Sequence, residues 1–419
     1  MLMDRQDAGG LVRVGREVRG WRQADLGARI GCSASTVSRL ETRARHADLT
    51  LLRHAAGEVG VPPHVLVASL GLGASSLPPP TTVAPDRPRC AQEDPMRRRT
   101  LLAAAGLTAP TTLLSCLDDA LAATPDPTGS TIPLDRRLAA ARSRFDAGQN
   151  AVLLKALPSL LADAHHAART RQEIPLSRLS ATYSLAAQVL TKVGRYDRSR
   201  LTADRATLYA EWSGSPLAAA AAARELSAVL RHQGQPSNAQ RHIMGVVSLV
   251  EATGLTTDAQ ASAYVQMLCT TSYTAAVAGD RNQALAMIQD AARAARDLPG
   301  KPPAGRLFPI TPAAVDLYAV GVHWALGDAG AAIEAGRGLH PGQFRTAERK
   351  GRMHTDLARA WWQWGKPEQT ASELLSAVRV APDEVRDRPA IRRMVTELQT
   401  HHARATGVRE LTAAVSAKA

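Results

Sequence analysis

Residues 21–41, WRQADLGARIGCSASTVSRLE, predict two short helices joined by a glycine turn. The first helix would run from about Gln23 to Ile30, because apolar residues four positions apart share one buried face there. Gly31 supplies the positive φ that ends a helix at little cost, and Ser33 is a good N-cap for the helix that follows. The stretch therefore predicts a pair of helices held at a fixed angle.

The second helix of this pair, from about Ala34 to Thr42, would bury Val37 and Leu40 and turn small hydroxyl side chains outward beside arginine. Such a surface suits a helix that enters the major groove of DNA and meets phosphates and base edges. The outward-facing residues are predicted to be Ser35, Thr36, Ser38, Arg39 and Arg43.

The order of glutamine, buried leucine, glycine, a helix rich in serine and threonine, and Leu-Glu resembles the Cro/C1-type helix-turn-helix regulators of the XRE family. In this chain the matching positions are Gln23, Leu26, Gly31, residues 33–38 and Leu40-Glu41. The resemblance implies a five-helix DNA-binding domain over residues 10–70, with the helix-turn-helix at 22–42. The last helix of that domain would cover residues 63–70.

The same resemblance implies an ion pair between Arg16, on the first helix of the domain, and Glu41. Two positions depart from the family pattern. Arg22 stands where serine or threonine usually caps the second helix, and Gly15 stands where an apolar residue is common. The missing cap would cost about 1 kcal/mol of stability, which does not argue against the fold.

Each outward residue has an expected part in DNA binding. Gln23 would bond a phosphate or a base. Base edges would be reached by Ala34, Ser35, Ser38 and Arg39, while Ser33 and Arg43 would hold the DNA backbone. Two closely coupled copies would bind half-sites about one helical turn apart, roughly 34 Å. The expected partners are double-stranded DNA and a second copy of the chain.

The composition of the chain bears on its domain count, its fold class and its surroundings. A chain of 419 residues is too long for one core, and 4% aromatic residues with abundant alanine indicate an all-helical protein. Most of the net charge of +13 lies outside the first 72 residues, so the charge alone says little about nucleic acid. The four cysteines are scattered without metal-ligand spacing, which favours a reducing cytoplasm.

Two segments connect the predicted domains. Residues 71–96 are rich in proline and predict an extended, semi-rigid linker. Residues 97–123 begin Arg-Arg-Arg-Thr-Leu-Leu and look like a twin-arginine export signal that ends at a lipobox-like Cys116. Their position after a DNA-binding domain and the interruption by Pro110 favour a basic, apolar docking helix and no membrane partner. A membrane-attached regulator is the alternative.

Residues 134–414 repeat a pattern of apolar helix, glycine turn and alanine-rich helix. Successive turn glycines lie 40, 45, 48 and 38 residues apart, at Gly194, Gly234, Gly279, Gly327 and Gly365. A period of this size predicts stacked helical hairpins, and the turn signature resembles tetratricopeptide repeats. The predicted fold is all-α: a five-helix domain, a linker, and an α-solenoid of about five or six hairpins.

A candidate groove for an effector lies in the last repeats. Concave aromatic side chains there would stack on a peptide or small molecule, or would pack against the neighbouring hairpin. Nearby arginines would fit an acidic peptide terminus or a solvated face. The residues concerned are Trp324, Arg352, Arg359, Trp361, Trp362 and Trp364.

The order of these parts resembles the large XRE-type regulators of filamentous actinobacteria, which implies control of development or secondary metabolism. The sequence holds no Gly-rich phosphate loop, no Gly-x-Ser-x-Gly and no His-Glu-x-x-His, so no catalytic residue, cofactor or metal site is predicted. The expected protein is a dimeric DNA-binding regulator whose repeats bind a peptide, small molecule or protein. The alternative is an interaction scaffold whose DNA-binding head only localises it.

Overall fold

The computed structural model describes residues 8–42, 49–61, 111–300, 302 and 307–416. Within those ranges every regular element is a helix, so the prediction of an all-α chain is confirmed there. The chain divides into two compact units, Met1–Arg89 and Cys90–Ala419, called here the first and second unit. The predicted helix at 63–70, the linker at 71–96, residues 97–110 of the docking segment, and Arg43 lie outside the described residues.

The first unit contains four helices in its described part. They are α1 (Ala8–Val18), α2 (Gln23–Ile30), α3 (Ala34–Thr42) and α4 (Leu49–Glu58). Helix α3 contacts α1 and α2, and α4 contacts the same two helices. The four enclose one apolar core, because the face that each turns inward is apolar. Fully buried members of that core are Val12, Leu26, Val37, Leu52 and Ala55.

A tight glycine turn sets how α2 and α3 meet. Gly31 ends α2 with a φ of 71°, and the N–H of Cys32 reaches back to the carbonyl of Gly27 at 2.8 Å. This arrangement satisfies carbonyls that the end of α2 would otherwise leave without partners. Gly27 lets the turn fold closely onto the helix, since a Cβ there would lie 2.6 Å from the Cys32 carbonyl oxygen.

The second unit contains sixteen α-helices in its described part. They are α5 (Thr111–Ala122), α6 (Leu134–Asp146), α7 (Asn150–Ala168), α8 (Glu173–Lys192), α9 (Tyr196–Ser213), α10 (Pro216–His232), α11 (Pro236–Glu251), α12 (Asp258–Ala278), α13 (Arg281–Ala294), α14 (Pro312–Ala325), α15 (Ala329–Gly336), α16 (Ala347–Gln363), α17 (Pro367–Val380), α18 (Pro382–Arg386), α19 (Pro389–His401) and α20 (Val408–Ser416). A 3₁₀ turn, Pro341–Gln343, precedes α16.

Helix α5 is the described part of the docking segment. It packs against α7 and buries three leucines spaced three or four residues apart, Leu114, Leu117 and Leu121. On its polar side, the guanidinium of Arg198 on α9 donates to both carboxylate oxygens of Asp118, at 2.5 and 2.6 Å. Its apolar stripe is therefore covered by the second unit.

The helices from α6 to α17 pack as consecutive pairs. Within this stretch, α8 also contacts α10, α10 contacts α12, α12 contacts α14, and α14 contacts α16. The even-numbered helices thus form one continuous layer, and the odd-numbered helices flank it. Small side chains allow this close approach: Ala220, Ala222 and Ala223 on α10 are all fully buried.

The two ends of this layer meet. Helix α6 contacts both α8 and α16, so the six even-numbered helices from α6 to α16 close into what is called here the inner ring. Lys192 of α8 donates to Glu348 at 2.8 Å and also to Glu384, while Asn150 donates to Asp387 at 2.8 Å. These bonds join residues 156, 192 and 237 positions apart in the chain. The sequence indicated only a stack of hairpins and did not predict this closure.

The C-terminal helices cover the end of the stack. Ile391, Val395 and Leu398 of α19 are buried against Leu374 of α17 and Leu411 of α20. The sequence stripe over residues 389–414 indicated a closing helix of this kind, and the structure divides it into α19 and α20.

Candidate functional site

The α2–α3 pair is anchored by a buried ion pair. The Arg16 guanidinium donates to the two carboxylate oxygens of Glu41, from Nε at 2.6 Å and from Nη2 at 3.1 Å. Their side chains are only 9% and 1% exposed. Arg16 Nη1 also donates to the Trp21 carbonyl at 2.7 Å, and the bonds to Glu41 raise the pKa of Arg16 despite its burial. The pair therefore fixes the end of α3 to α1 and to the chain before α2.

Gln23 lies beside this ion pair. Its Nε2 donates to Glu41 at 2.9 Å, and the side chain is half-buried. One amide N–H of Gln23 is thus used in a hydrogen bond inside the first unit. The second N–H and Oε1 make no hydrogen bond within the described residues, and together they are the two groups that a bidentate contact with adenine uses.

The start of α2 is better satisfied than the sequence indicated. Arg22 offers no side-chain cap, but its own N–H donates to the Asp25 carboxylate at 2.7 Å. In a capping box, this is the bond from the N-cap backbone N–H to the side chain three positions on. The carboxylate also lies in the first turn, where the helix dipole favours a negative charge. The missing serine or threonine is partly replaced from position 25.

Hydroxyl groups cluster at the start of α3. Ser33 Oγ accepts the backbone N–H of Thr36 at 3.3 Å and bonds the hydroxyls of Ser35 and Thr36 at 2.9 and 3.0 Å. Ser33 therefore caps the helix, as the sequence predicts. Ala34 and Ser35 are exposed beside it. The first turn of α3 presents small polar groups and no bulky side chain.

One arginine extends this surface. Arg39 is exposed, and its Nε donates to the Ser35 carbonyl at 3.3 Å, which lays the side chain along the helix toward its N-terminus. Ser38, one position earlier, is half-buried. The terminal nitrogens of Arg39 make no hydrogen bond within the described residues, so the guanidinium fork faces solvent.

A second cation lies on α2 itself and was not among the residues predicted to bind DNA. Arg29 is exposed, and its guanidinium carbon lies 4.2 Å from the centre of the Trp21 ring. The face of an indole attracts a cation and restrains its motion. Arg19 is different, because it donates to the carbonyls of Gly15 and Val59 and so joins α1 to the end of α4.

Replacing Gly27 with alanine is expected to destabilise the first unit by about 1–3 kcal/mol, because the new methyl group would overlap the Cys32 carbonyl. Hydrogen exchange of the α2 and α3 amides in the full chain measures this loss. Gly57→Ala in α4 is the matched control, since a Cβ there has nothing within 4 Å. Equal exchange in both variants would contradict the close approach at Gly27.

Of the predicted effector-groove residues, three come together in the structure. The Arg359 guanidinium lies over the Trp324 ring, 3.3 Å from its centre. Arg352 and Arg359 both donate to Asp356, at 2.6 and 3.4 Å. Trp324 is on α14 and the other residues are on α16, so this group joins two neighbouring helices of the inner ring.

The other three tryptophans do not extend that group as one stripe. Trp361 and Trp364 stack on each other with ring centres 5.6 Å apart, and Trp364 is 48% exposed. Trp362 packs instead against the C-terminal helices and meets the His402 ring edge-on at 5.7 Å. For Trp362 the structure shows the packing alternative.

The comparisons add no assignment: no protein-family model matches the chain, and no curated protein matches it. In the described ranges no helix combines the length and apolar character needed to cross a membrane. The same ranges hold no group of three His, Cys, Asp or Glu side chains placed to share a metal ion.

Proposed function

We propose that the chain is a sequence-specific DNA-binding regulator of the Cro/C1 type, whose α3 enters the major groove. The observation that supports this most is the division of α3 into two faces. Val37 and Leu40 are buried, whereas Ser35 and Arg39 are exposed beside a serine-capped N-terminus. A short helix with a firmly held axis and small polar groups at its leading end suits base readout.

Individual side chains have distinct proposed parts. The fork of Arg39 would bond O6 and N7 of a guanine, and the methyl group of Ala34 would contact a thymine methyl group. Ser33 and the free N–H groups of the first turn of α3 would hold a phosphate. Arg29, restrained over Trp21, would neutralise another phosphate. Gln23 would bond a base through the atoms that Glu41 does not use.

The wider proposal joins the two units. The second unit is proposed as a tetratricopeptide-like array that binds an effector or partner and changes how two DNA-binding heads are arranged in a dimer. Half-sites would then lie about 34 Å apart, or further if the linker is extended. In line with the resemblance stated above, the regulator would act in the cytoplasm in development or secondary metabolism, without cofactor, metal or enzymatic activity.

The proposal predicts that Arg39→Ala loses sequence preference more than overall affinity. Selection from random DNA duplexes with the full chain first defines the preferred site. On that site the variant should bind more weakly by about 1–3 kcal/mol, which is the value of one good bidentate contact. On unrelated DNA the two proteins should differ much less, because only a general electrostatic contact is lost.

Arg337→Ala is the control for this experiment. Arg337 is an arginine with a 78% exposed side chain in the second unit, so its loss changes net charge equally without touching α3. Selected duplexes that share no motif, or an Arg39→Ala protein with unchanged selectivity, would overturn the proposed readout by α3.

A further inference from the structure

The inner ring holds more positive than negative charge at one place. Four arginines from α10, α16 and the start of α19 lie near enough to act on common neighbours electrostatically, with two carboxylates among them. The arginines, called here the arginine cluster, are Arg231, Arg352, Arg359 and Arg388. The carboxylates are Asp356 and Glu384.

Together, the two carboxylates form ion pairs with three of these arginines. Asp356, only 5% exposed, accepts from both Arg352 and Arg359. Arg388 lies 3.3 Å from Glu384 and also donates to the Thr355 hydroxyl at 2.8 Å. Glu384 in turn is bonded by Lys192. Neither carboxylate has capacity to neutralise a further cation.

Arg231 makes no ion pair with a carboxylate among the described residues, although Glu225 on the same helix lies near enough to attract it without contact. Its Nη1 donates to the hydroxyls of Ser227 and Thr274, at 3.0 and 2.8 Å, and its guanidinium carbon lies 5.1 Å from the centre of the Tyr273 ring. Neutral hydroxyls solvate a guanidinium but do not balance its charge. A partly buried charge without a contacting counter-charge opposes folding, so a ligand that supplies the missing anion would account for its position.

Two neighbours of the arginine cluster show the same excess of positive charge. Burial alone would raise the pKa of Tyr273, but Arg359 and Arg231 outweigh it and lower the pKa. Burial lowers the pKa of His232, and the four arginines lower it further. A phenol that ionises more easily despite its burial indicates a positive local potential.

The cluster is reachable from solvent. Side-chain exposure is 33% for Arg352, 17% for Arg388 and 14% for Arg359. These side chains are therefore not sealed in an apolar core.

We propose that the arginine cluster binds a small anion with at least two negative charges, carried on phosphate or carboxylate groups. Guanidinium forks from separate helices match such groups with paired hydrogen bonds, and Arg359 is already positioned by stacking on Trp324. The anion would connect the middle of the array, at α10, with its closing end at α16 and α19. The idea that this anion is the effector rests on the proposed function. The binding of the anion to the arginine cluster does not depend on that function.

Calorimetric titration of the full chain without DNA tests the binding. Pyrophosphate, a nucleoside diphosphate (ADP) and citrate are titrated at one fixed ionic strength, with sodium chloride as the blank. We expect at least one of them to bind one site per chain, and the citrate arm separates carboxylate from phosphate recognition. Arg231→Gln should weaken that binding at least tenfold, whereas Arg337→Gln at the exposed residue after α15 should leave it unchanged.

Thermal unfolding separates a binding role from a structural one. Because Arg231 makes no ion pair with a carboxylate among the described residues, ligand-free Arg231→Gln should melt at the same temperature as the parent chain or higher, and should gain less from the bound anion. No heat above the blank for any of the three anions would overturn the site. So would an Arg231→Gln chain that binds as tightly as the parent. Since DNA is absent throughout, neither result depends on the proposed DNA binding.

Discussion

Replacing Lys192 with methionine is expected to lower the free energy of unfolding of the second unit by about 3 kcal/mol. Its ammonium group bonds both Glu348 and Glu384, whose side chains are 8% and 1% exposed. Without Lys192, buried Glu348 keeps Arg349 as a cationic partner at 3.5 Å, and buried Glu384 keeps Arg388 at 3.3 Å. Both arginines lie further from their carboxylate than the lysine does. Lys192 thus stabilises the closure of the inner ring, and denaturant unfolding followed by circular dichroism measures the loss.

This effect should depend on pH in a defined direction. Burial alone would raise the pKa of Glu348, but attraction to Lys192 and Arg349 outweighs it and holds the pKa well below its usual range. A carboxylate with a depressed pKa stabilises the fold above its unfolded pKa of about 4.3 and loses that contribution as the pH falls. The difference between parent and Lys192→Met should therefore be largest near neutral pH and shrink on acidification.

Lys155→Met is the matched control, because Lys155 is exposed on α7 and the same charge is removed. Its unfolding free energy should stay within about 0.5 kcal/mol of the parent. If both lysine variants unfolded alike, or if the Lys192→Met deficit grew toward acidic pH, the closing ion pairs would not stabilise the ring.

Replacing Glu41 with alanine should cost the first unit about 3–5 kcal/mol, because the Arg16 guanidinium would remain buried without its counter-charge. Gln23 would lose the acceptor of its amide N–H in the same step. Hydrogen exchange of the α1–α3 amides in the full chain resolves this unit from the larger one. Binding to the selected DNA site should fall together with the protection of these amides.

The neighbouring carboxylate provides the control. Glu17 lies 3.5 Å from the same guanidinium, but its side chain is 54% exposed. Glu17→Ala should therefore cost less than about 1 kcal/mol. A Glu41→Ala chain with parent-like protection would show that this ion pair does not hold α3 in place.

The α2–α3 pair could be predicted because its signals are local. Gly31 and Ser33 act within one turn of the residues that they affect, and the helix bounds from Gln23 to Ile30 follow from them. The N-terminus of α2 differs from the sequence expectation because Arg22 by itself indicates a missing cap. Asp25, three positions on, is the sequence signal for the capping bond that the structure shows.

The inner ring and its arginine cluster could not be predicted in this way. A repeat period indicates hairpins, but the curvature of the stack arises from small rotations between repeats that no single motif encodes. Arg231 and Arg352 are more than a hundred positions apart, and only the curvature brings them together. The tryptophans do not form one continuous surface, because adjacent residues on a helix point about 100° apart. Trp361 and Trp362 therefore face different neighbours.

Whether α3 reads base sequence is measured most directly by mapping the DNA that the full chain occupies across a genome, beside the Arg39→Ala chain. The parent should occupy reproducible sites that share the motif selected in vitro, with paired half-sites, and Arg39→Ala should lose most of them. Absence of reproducible sites, as for a scaffold with an inert head, or an identical map for both chains, would contradict DNA recognition by α3.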